Sequence, residues 1–483
     1  MFWRGVWGYL PANLVQGLVG FASIAVFTRL LSPEEFGRYA LAFSAMTVAH
    51  TAVFTWAEAA MARFWAAEHA DPKRLSAHFA TLYRSVFVLM AAFAAAVAVG
   101  LWLWPAAGPL KLALIAAFAA VPARTLAKLA QERRRAAGEV RSSANLDMGQ
   151  SAGGFALGAL FAVAGFGGAA PLLGLGLAAL LCLPPVLPKE LAFARGGTAE
   201  PGRARLYAAY GTPIAASLLL ALALATVDRF LIATFLGEAE VGAYHAGYSL
   251  AHRTLDVIFI WLGAAGGPAL VMALERGGRP ALAEAAREQA GLMALLAFPA
   301  AAGIAVVAAP LAQVMIGPEL AAQAAAVTPW IALSGLCAGL TTYFFHQAFT
   351  LGRRTGLLML AMAVPALANL GLNLWLLPRY GLIGAAWATA ASYALGLIAS
   401  ALLGRRCLPL PVPWTTAAKA ALATAGMAGL VVLLPSRGGL SELLLKASAG
   451  GLTYAALAWM LDAGGVRARS SRLLNQLRAK GAA

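Results

Sequence analysis

Charged side chains are scarce in this chain. Asp, Glu, Lys and Arg together make up 12% of its 483 residues, and 61% of the residues are hydrophobic. A soluble domain carries about twice that share of charge. Apolar runs of about 20 residues, the length that crosses a bilayer as a helix, recur along the whole chain. We therefore expect an integral membrane protein and not a string of soluble domains.

Cysteine and the common catalytic motifs are also missing or rare. The three cysteines, Cys182, Cys337 and Cys407, lie far apart, which argues against a disulfide framework or a thiolate metal site. The sequence contains no GxxxxGK[ST] motif and no HExxH motif, and its six histidines are scattered. Nothing indicates ATP use, a bound metal or another cofactor, so we predict a protein that is not an enzyme.

The apolar stretches predict an all-α polytopic membrane protein with fourteen transmembrane helices. Charged residues, glycine or proline bound each stretch. The predicted helices cover residues 8–31, 36–64, 78–104, 110–132, 142–166, 169–194, 206–236, 240–273, 284–309, 321–350, 355–377, 381–403, 415–434 and 441–462.

The net charge of +16 is distributed unevenly between alternate connections. One side of the predicted membrane receives most of the arginines, including those of a basic tail that follows residue 462. The other side receives only Arg38, Lys111, Arg379, Arg437 and Lys446. Because basic loops stay cytoplasmic, this alternation predicts that both termini are cytoplasmic.

One short pattern occurs twice. The stretch RLLSPEEFGRYALAFS at residues 29–44 aligns with FLGEAEVGAYHAGYSL at residues 235–250, with Leu31 on Leu236, Gly37 on Gly242 and Tyr39 on Tyr244. An even number of helices separates the copies, so they emerge on the same face and the repeat is parallel. We predict a six-helix lobe at 1–200, a second at 201–404, and two further helices with the tail at 405–483.

Two smaller patterns predict local structure. In SPEEFG, Ser32 is placed to cap the second helix, with Pro33 at its first position and Glu35 in its first turn. Gly149, Gly153, Gly154 and Gly158, together with GLGLAA at 174–179, predict a close helix contact and not a dinucleotide site.

Three passages of the sequence resemble a known family. They are RLLSPEEFGRYALAFS, TVDRFLIATFLGEAEVGAYHAGYSL at 226–250 and ANLGLNLWLLPRYGLIGAAWATAASY at 368–393. The chain resembles the polysaccharide transporters of the multidrug/oligosaccharidyl-lipid/polysaccharide exporter superfamily, which include O-antigen repeat-unit flippases. The resemblance is weakest in the fifth, sixth, thirteenth and fourteenth helices.

The resemblance implies a function in polysaccharide biosynthesis at the bacterial cytoplasmic (inner) membrane. Proteins of this family move undecaprenyl-diphosphate-linked oligosaccharides from the inner to the outer leaflet by alternating access, through a cavity between two lobes. The expected partners are the lipid-linked oligosaccharide, membrane lipids, a coupling H⁺ or Na⁺ and polysaccharide polymerase machinery. No nucleic acid is expected.

Charged residues inside predicted spans are the candidate functional residues, because each costs about 2.5–3.5 kcal/mol on insertion scales. A cationic cavity that binds a diphosphate is predicted to use Arg253, Arg229, Arg63, Arg84 and Arg124. Residues that could instead couple transport to an ion are Asp228, Asp256, Glu58 and His252. Ordinary interface anchors are the alternative for Arg63, Lys128 and Asp147.

The cluster HRTLD in the eighth helix is the clearest of these. Asp256 follows Arg253 by three positions and His252 by four, so all three can meet along one helical face. A buried structural ion pair between Arg253 and Asp256 is the alternative to substrate binding.

Three other functions are open at this point. A lipid II flippase of peptidoglycan synthesis shares fourteen spans, and a drug or cation antiporter of the same superfamily usually has twelve spans and an acidic cavity. A membrane glycosyltransferase or polysaccharide polymerase would place catalytic residues in a large outer loop, and the predicted outer loops are short.

Overall fold

The structure, a computed structural model, describes residues 2–104 and 108–467 of the chain, and the side chains from residue 14 onward with the exception of residue 355. Most of the predicted basic tail lies outside the described residues. Within them the chain is helical and contains no strand. The α-helices are α1 (Phe2–Leu30), α2 (Pro33–Val53), α3 (Thr55–Glu68), α4 (Pro72–Leu103), α5 (Pro109–Ala136), α6 (Val140–Val163), α7 (Ala170–Cys182), α8 (Leu187–Phe193), α9 (Pro201–Phe235), α10 (Glu238–Val306), α11 (Ala308–Met315), α12 (Pro318–Leu340), α13 (Gln347–Leu351), α14 (Thr355–Arg405), α15 (Trp414–Leu433) and α16 (Gly439–Met460).

Seven described helices, with α12 continued through α13, are long and apolar enough to cross a membrane, and two bent pairs raise that number to nine. The pairs are α2 with α3, bent by 49°, and residues 167–182 with α8, bent by 56°. Two of the seven, α10 and α14, are each broken by a glycine with positive φ, Gly278 and Gly381. Counting those halves separately and adding α1, α6 and α16 gives fourteen helical segments in the described residues. They match the fourteen predicted helices one for one.

The bend between α7 and α8 has an identifiable cause in the sequence. Pro184 and Pro185 lie between α7 and α8, and proline cannot donate the backbone hydrogen bond that would continue the helix. A π-helical turn at Thr341–Phe345 joins α12 to α13 and shifts the register of that span. The short helix α11, which packs against α12 and α16, was not predicted.

The described chain groups into two compact units, residues 1–245 and 246–483. The first unit has a core of large buried side chains from α3, α4 and α5, among them Phe54, Leu82 and Leu129. The second has separate clusters around Phe344 and around Ala420. The first unit therefore includes α9 and the start of α10. The predicted boundary after residue 200 concerns the two copies of the sequence repeat, and it stays a prediction.

Small residues bring α6 and α7 together. A Cβ added at Gly174 would lie 2.3 Å from the backbone nitrogen of Gly158, and one at Gly154 would lie 2.9 Å from Cδ2 of Leu175. Real Cβ atoms do not approach other atoms this closely, so the contact requires glycine. The predicted packing role of this glycine pattern is confirmed.

The start of α2 is a capping box. The backbone N–H of Ser32 donates to Oε2 of Glu35 at 3.0 Å, and the N–H of Glu35 donates to the Ser32 hydroxyl oxygen at 3.3 Å. Pro33 occupies the first helical position. Because these bonds satisfy donors that the first helical turn leaves free, the predicted cap is confirmed and the turn is held in a defined shape.

The two copies of the repeated turn touch each other within the first unit. A Cβ added at Gly37 would lie 1.7 Å from the carbonyl oxygen of Glu238, and one added at Gly242 would lie 2.5 Å from that of Pro33. Pro33 aligns with Glu238 in the repeat, and Gly37 aligns with Gly242. The contact is therefore reciprocal, and we name these four residues the twin-turn contact.

An ion pair stands beside the twin-turn contact. Nε of Arg38 lies 2.6 Å from Oε2 of Glu238, and both side chains are partly buried. The aligned position of Arg38 is Ala243, so this ion pair has no counterpart on the other side of the contact.

We expect Gly37→Val to destabilise the protein, since the new side chain would collide with a backbone oxygen that cannot rotate away. Overpacking of this kind costs about 1–3 kcal/mol. The free energy of unfolding, measured by denaturant titration in detergent, checks the expectation. Gly100→Val on α4, where an added Cβ meets no atom within 4 Å, is the matched control. Equal stability of the two variants would contradict the close approach.

Candidate functional site

A cavity of 340 Å³ with polar walls lies in the first unit, and we call it the N-terminal cavity. Four helices supply its charged groups: α3 contributes Glu58, α5 contributes Arg124 and Lys128, and α6 contributes Asp147, while α2 contributes His50. Two predicted site residues, Glu58 and Arg124, thus meet in one space.

The bend between α2 and α3 positions the acidic group. Nε2 of His50 lies 2.8 Å from Oε1 of Glu58, and Nδ1 of His50 lies 3.2 Å from the hydroxyl oxygen of Thr125. Eight residues of straight helix would separate His50 and Glu58 by about 12 Å along the axis. The break at Phe54, a fully buried residue, allows the two side chains to meet. Glu58 also lies in the first turn of α3, where the helix dipole favours negative charge.

The two cations of the cavity lie one helical turn apart on α5. Among the described residues, neither Arg124 nor Lys128 has an ion pair or a side-chain hydrogen bond, although both are half-buried. The carboxylates of Glu58 and Asp147 line the same cavity but form no direct ion pair with either cation. The donors of Arg124 and Lys128 are therefore available to an anionic ligand.

Asp147 is held by neutral and cationic donors. Nε2 of Gln131 donates to its Oδ1 at 3.3 Å, the side-chain amide of Gln16 donates to its Oδ2, and a guanidinium nitrogen of Arg135 lies 4.0 Å from the same oxygen. Lys128 and Asp147 therefore line the cavity. The alternative that Lys128 and Asp147 are ordinary interface anchors stays a prediction.

Asp228 and Arg229 are both buried in α9. Oδ2 of Asp228 accepts a 2.6 Å hydrogen bond from the Tyr244 hydroxyl, and Oδ1 accepts from the backbone N–H of Arg229. The Arg229 guanidinium donates to Nδ1 of His245 at 3.3 Å and to the carbonyl of Ala225. Neighbouring polar groups therefore act as hydrogen-bond partners for both side chains inside the first unit.

The HRTLD cluster of the second unit does not form the expected contacts. Arg253 and Asp256 are both exposed, and no ion pair joins them in the part of the chain that the structure describes. The alternative of a buried ion pair was therefore wrong. His252 stacks on Tyr248, with ring centroids 4.3 Å apart and an interplanar angle of 11°.

The other two predicted cations lie apart from the N-terminal cavity. Arg63 is exposed on α3 and lies over the Phe64 ring, 5.9 Å from its centroid. Arg84, also exposed, lines a separate 520 Å³ cavity of the first unit that includes Glu200 and Arg205. The structure thus brings together Glu58 and Arg124 but not the whole predicted set of arginines.

Two buried polar groups were missed from the sequence. Asn369 and Asn373 on α14 are fully buried, and the side-chain amide of Asn373 donates to the backbone carbonyl of Asn369 at 2.9 Å. Within the described residues the side-chain amide of Asn369 has no hydrogen-bond partner. The signal was present, since two amides four positions apart interrupt the apolar run ANLGLNLW. A search for charge alone passes over neutral groups.

Tyr244→Phe should lower the free energy of unfolding by about 1–3 kcal/mol, because it removes a donor from the fully buried Asp228 carboxylate. Denaturant titration in detergent measures the change. Tyr210→Phe is the control, since Tyr210 is 38% exposed and its hydroxyl has no hydrogen bond among the described residues. A Tyr244 variant as stable as this control would show that the hydrogen bond contributes little.

Comparison with known proteins places this geometry in a family. A family of polysaccharide biosynthesis proteins matches residues 26–323, more than half of the chain. No curated protein sequence matches the chain.

Three solved structures share the fold at low sequence identity. The lipid II flippase MurJ in an inward closed conformation has a TM-score of 0.76 at 12% identity, over 94% of this chain and 98% of that one. A multidrug resistance MATE family transporter of the MOP superfamily in an inward-facing conformation has a TM-score of 0.62 at 14% identity, over 82% of this chain and 94% of that one. A multidrug resistance MATE family transporter of the MOP superfamily in an outward-facing conformation has a TM-score of 0.52 at 14% identity, over 83% of this chain and 92% of that one.

The sequence match extends well beyond the repeated turns, and the helical fold is shared with flippases and transporters along most of the chain. This chain is a multi-pass membrane protein that belongs to the family of polysaccharide biosynthesis proteins.

Proposed function

We propose that this protein is a flippase, and not an enzyme, that moves an undecaprenyl-diphosphate-linked oligosaccharide from the inner to the outer leaflet by alternating access. The cargo would be an O-antigen or another polysaccharide repeat unit. One observation carries the proposal: Arg124 and Lys128 face the N-terminal cavity, and neither forms an ion pair or a side-chain hydrogen bond with another described residue. A diphosphate would supply oxygen acceptors to both cations, and a guanidinium binds phosphate oxygens through two parallel hydrogen bonds.

The remaining walls of the N-terminal cavity suit a sugar. Hydroxyl and amide groups from α2, α3 and α6 surround the charged groups: Thr47, Thr51, Thr55, Gln150 and Ser151. Such neutral groups can both donate and accept hydrogen bonds, as sugar hydroxyls require. Its volume lies within the range of about 300–1,000 Å³ typical of small-molecule sites.

Two sources of energy fit the proposal. An inside-negative membrane potential favours outward movement of an anion by about 2.3 kcal/mol per charge per 100 mV. The Glu58 carboxylate, hydrogen-bonded to His50, offers a place for a coupling proton in the same cavity. Asp228, Asp256 and His252 stay candidates for ion coupling.

The proposal includes an orientation and a setting. Both termini lie in the cytoplasm of a bacterium, the protein resides in the cytoplasmic (inner) membrane, and the exported unit is handed to polysaccharide polymerase machinery. The uneven distribution of basic residues between alternate connections supports the orientation.

A second candidate function is transport of lipid II. The extent of the fold shared with the lipid II flippase MurJ favours it, because 94% of this chain is covered. Lipid II carries the same kinds of chemical group, a polyprenyl diphosphate and sugars, so the N-terminal cavity suits either cargo. Export of a cationic drug would use the carboxylates of Glu58 and Asp147 in place of the cations.

Arg124→Gln should reduce transport at least tenfold, since a hydrogen bond to a charged group contributes about 1.5–3 kcal/mol. The assay follows a fluorescent polyprenyl-diphosphate oligosaccharide from the inner to the outer leaflet of liposomes that contain the protein. Arg141→Gln, which removes an exposed arginine outside the cavity, is the matched control. The Arg124→Lys variant should transport at a rate between those of the Arg124→Gln and Arg141→Gln variants, because lysine keeps the positive charge but lacks the planar guanidinium.

The same liposomes separate the candidate functions. Movement of the oligosaccharide lipid that depends on Arg124 supports the proposal, and preferential movement of lipid II under the same conditions replaces it with the second candidate. Efflux of a cationic dye without movement of either lipid indicates an exporter. Equal transport by the Arg124→Gln and Arg141→Gln variants would remove the cavity from the mechanism.

Arg253→Ala should leave the thermal unfolding midpoint unchanged and abolish transport of the oligosaccharide lipid. Its side chain is exposed and has no ion pair in the described chain, so its removal leaves no buried carboxylate unpaired. The assay is the same liposome measurement, with the unfolding midpoint recorded in parallel. Wild-type transport by this variant would show that Arg253 does not contact the cargo.

A further inference from the structure

A second cavity, in the second unit, has a chemistry unlike that of the N-terminal cavity. It measures 540 Å³ and lies where the end of α14, the start of α15 and the second half of α10 come together. Its lining includes Arg287, Arg405, Phe345, Leu410 and Trp414. We name it the Arg287–Arg405 groove.

The groove carries two cations and no carboxylate. Arg287 and Arg405 are both exposed, and neither forms an ion pair or a side-chain hydrogen bond within the described residues. Two unneutralised guanidinium groups on one small cavity attract a ligand with negative charge, and the planar guanidinium favours phosphate.

The rest of the lining is apolar. Leu408 and Leu410 are buried against Phe344, and Trp414 is 69% exposed at the first position of α15. Pro409, Pro411 and Pro413 alternate through the connecting segment, so its backbone offers no N–H donor at these positions. The two arginines supply the positive charge of the groove, and the apolar wall suits a hydrocarbon chain.

The position of the groove agrees with this chemistry. The distribution of basic residues places the connection between α14 and α15 on the cytoplasmic side. Tryptophan is enriched at membrane interfaces, and the cytoplasmic leaflet carries the anionic lipids that basic pockets between helices bind.

We propose that the Arg287–Arg405 groove binds the phosphate headgroup of an anionic phospholipid of the cytoplasmic leaflet, with an acyl chain against its apolar wall. The two guanidinium groups hold the phosphate. The inference is independent of the transported cargo, because no residue of the groove belongs to the N-terminal cavity.

The test compares two double variants of equal charge. Arg287→Gln with Arg405→Gln removes both cations of the groove. Arg279→Gln with Arg406→Gln removes two exposed arginines, one on the same helix as Arg287 and one beside Arg405, that line none of the three cavities described above. The full-length protein in neutral detergent is titrated with phosphatidylglycerol, with phosphatidylcholine and with inorganic phosphate, and the thermal unfolding midpoint is recorded.

We expect phosphatidylglycerol to raise the unfolding midpoint of the wild type and the control variant, with a half-saturating concentration at least threefold higher in the groove variant. Phosphatidylcholine should leave the unfolding midpoint unchanged in the wild type and in both double variants. Equal half-saturation of the two double variants overturns the proposal. So does full protection by inorganic phosphate alone, which would make the groove a simple anion site.

Two further measurements keep the test decisive. If the groove variant does not fold, Arg287→Lys with Arg405→Lys replaces it, and this pair should bind phosphatidylglycerol more weakly than the wild type. In the last measurement the protein is titrated with a polyprenyl diphosphate, and the thermal unfolding midpoint is again recorded. Tighter binding of that lipid than of phosphatidylglycerol through the same two arginines assigns the groove to the cargo and overturns the phospholipid proposal.

Discussion

The cost of an unpaired charge away from water organises the interior of this protein. Each buried carboxylate of the first unit has a partner: Glu190 pairs with Arg133 at 2.8 Å, Glu68 with Arg203 at 2.8 Å, and Asp228 accepts from Tyr244. A buried ion pair repays its desolvation only when such partners are present. Arg124 and Lys128 differ from these buried pairs, because they are half-buried, form no direct ion pair with a described residue and face a cavity that they share with Glu58 and Asp147.

The fold was predictable to the extent that it depends on local patterns. Apolar length, charge at helix ends and glycine at breaks are properties of short segments, which is why the fourteen helical segments and the Ser32 cap agree with the structure. The π-helical turn at Thr341–Phe345 and helix α11 depend on how neighbouring helices pack, and no local sequence pattern predicts them.

The candidate site was predictable only in part, for a physical reason. Sequence indicates that a charge lies within a span, but the direction of its side chain depends on helix rotation and bending. Glu58 and Arg124 face the same cavity because α3 is bent away from α2, whereas Arg63, only five positions after Glu58, is exposed. Arg253 and Asp256 have the spacing of an ion pair, yet spacing alone did not bring their charged groups together.

The twin-turn contact has a consequence for how the chain could have evolved. Each copy of the turn supplies a glycine to one side of the contact and a carbonyl oxygen to the other, so a single ancestral segment already contained both complementary surfaces. Duplication alone would then create the fit, as a two-fold interface does between identical subunits. Once the copies were joined in one chain, neither glycine could gain a side chain without displacing the other copy, while Arg38 and Glu238 remained free to diverge into an ion pair that only one side possesses.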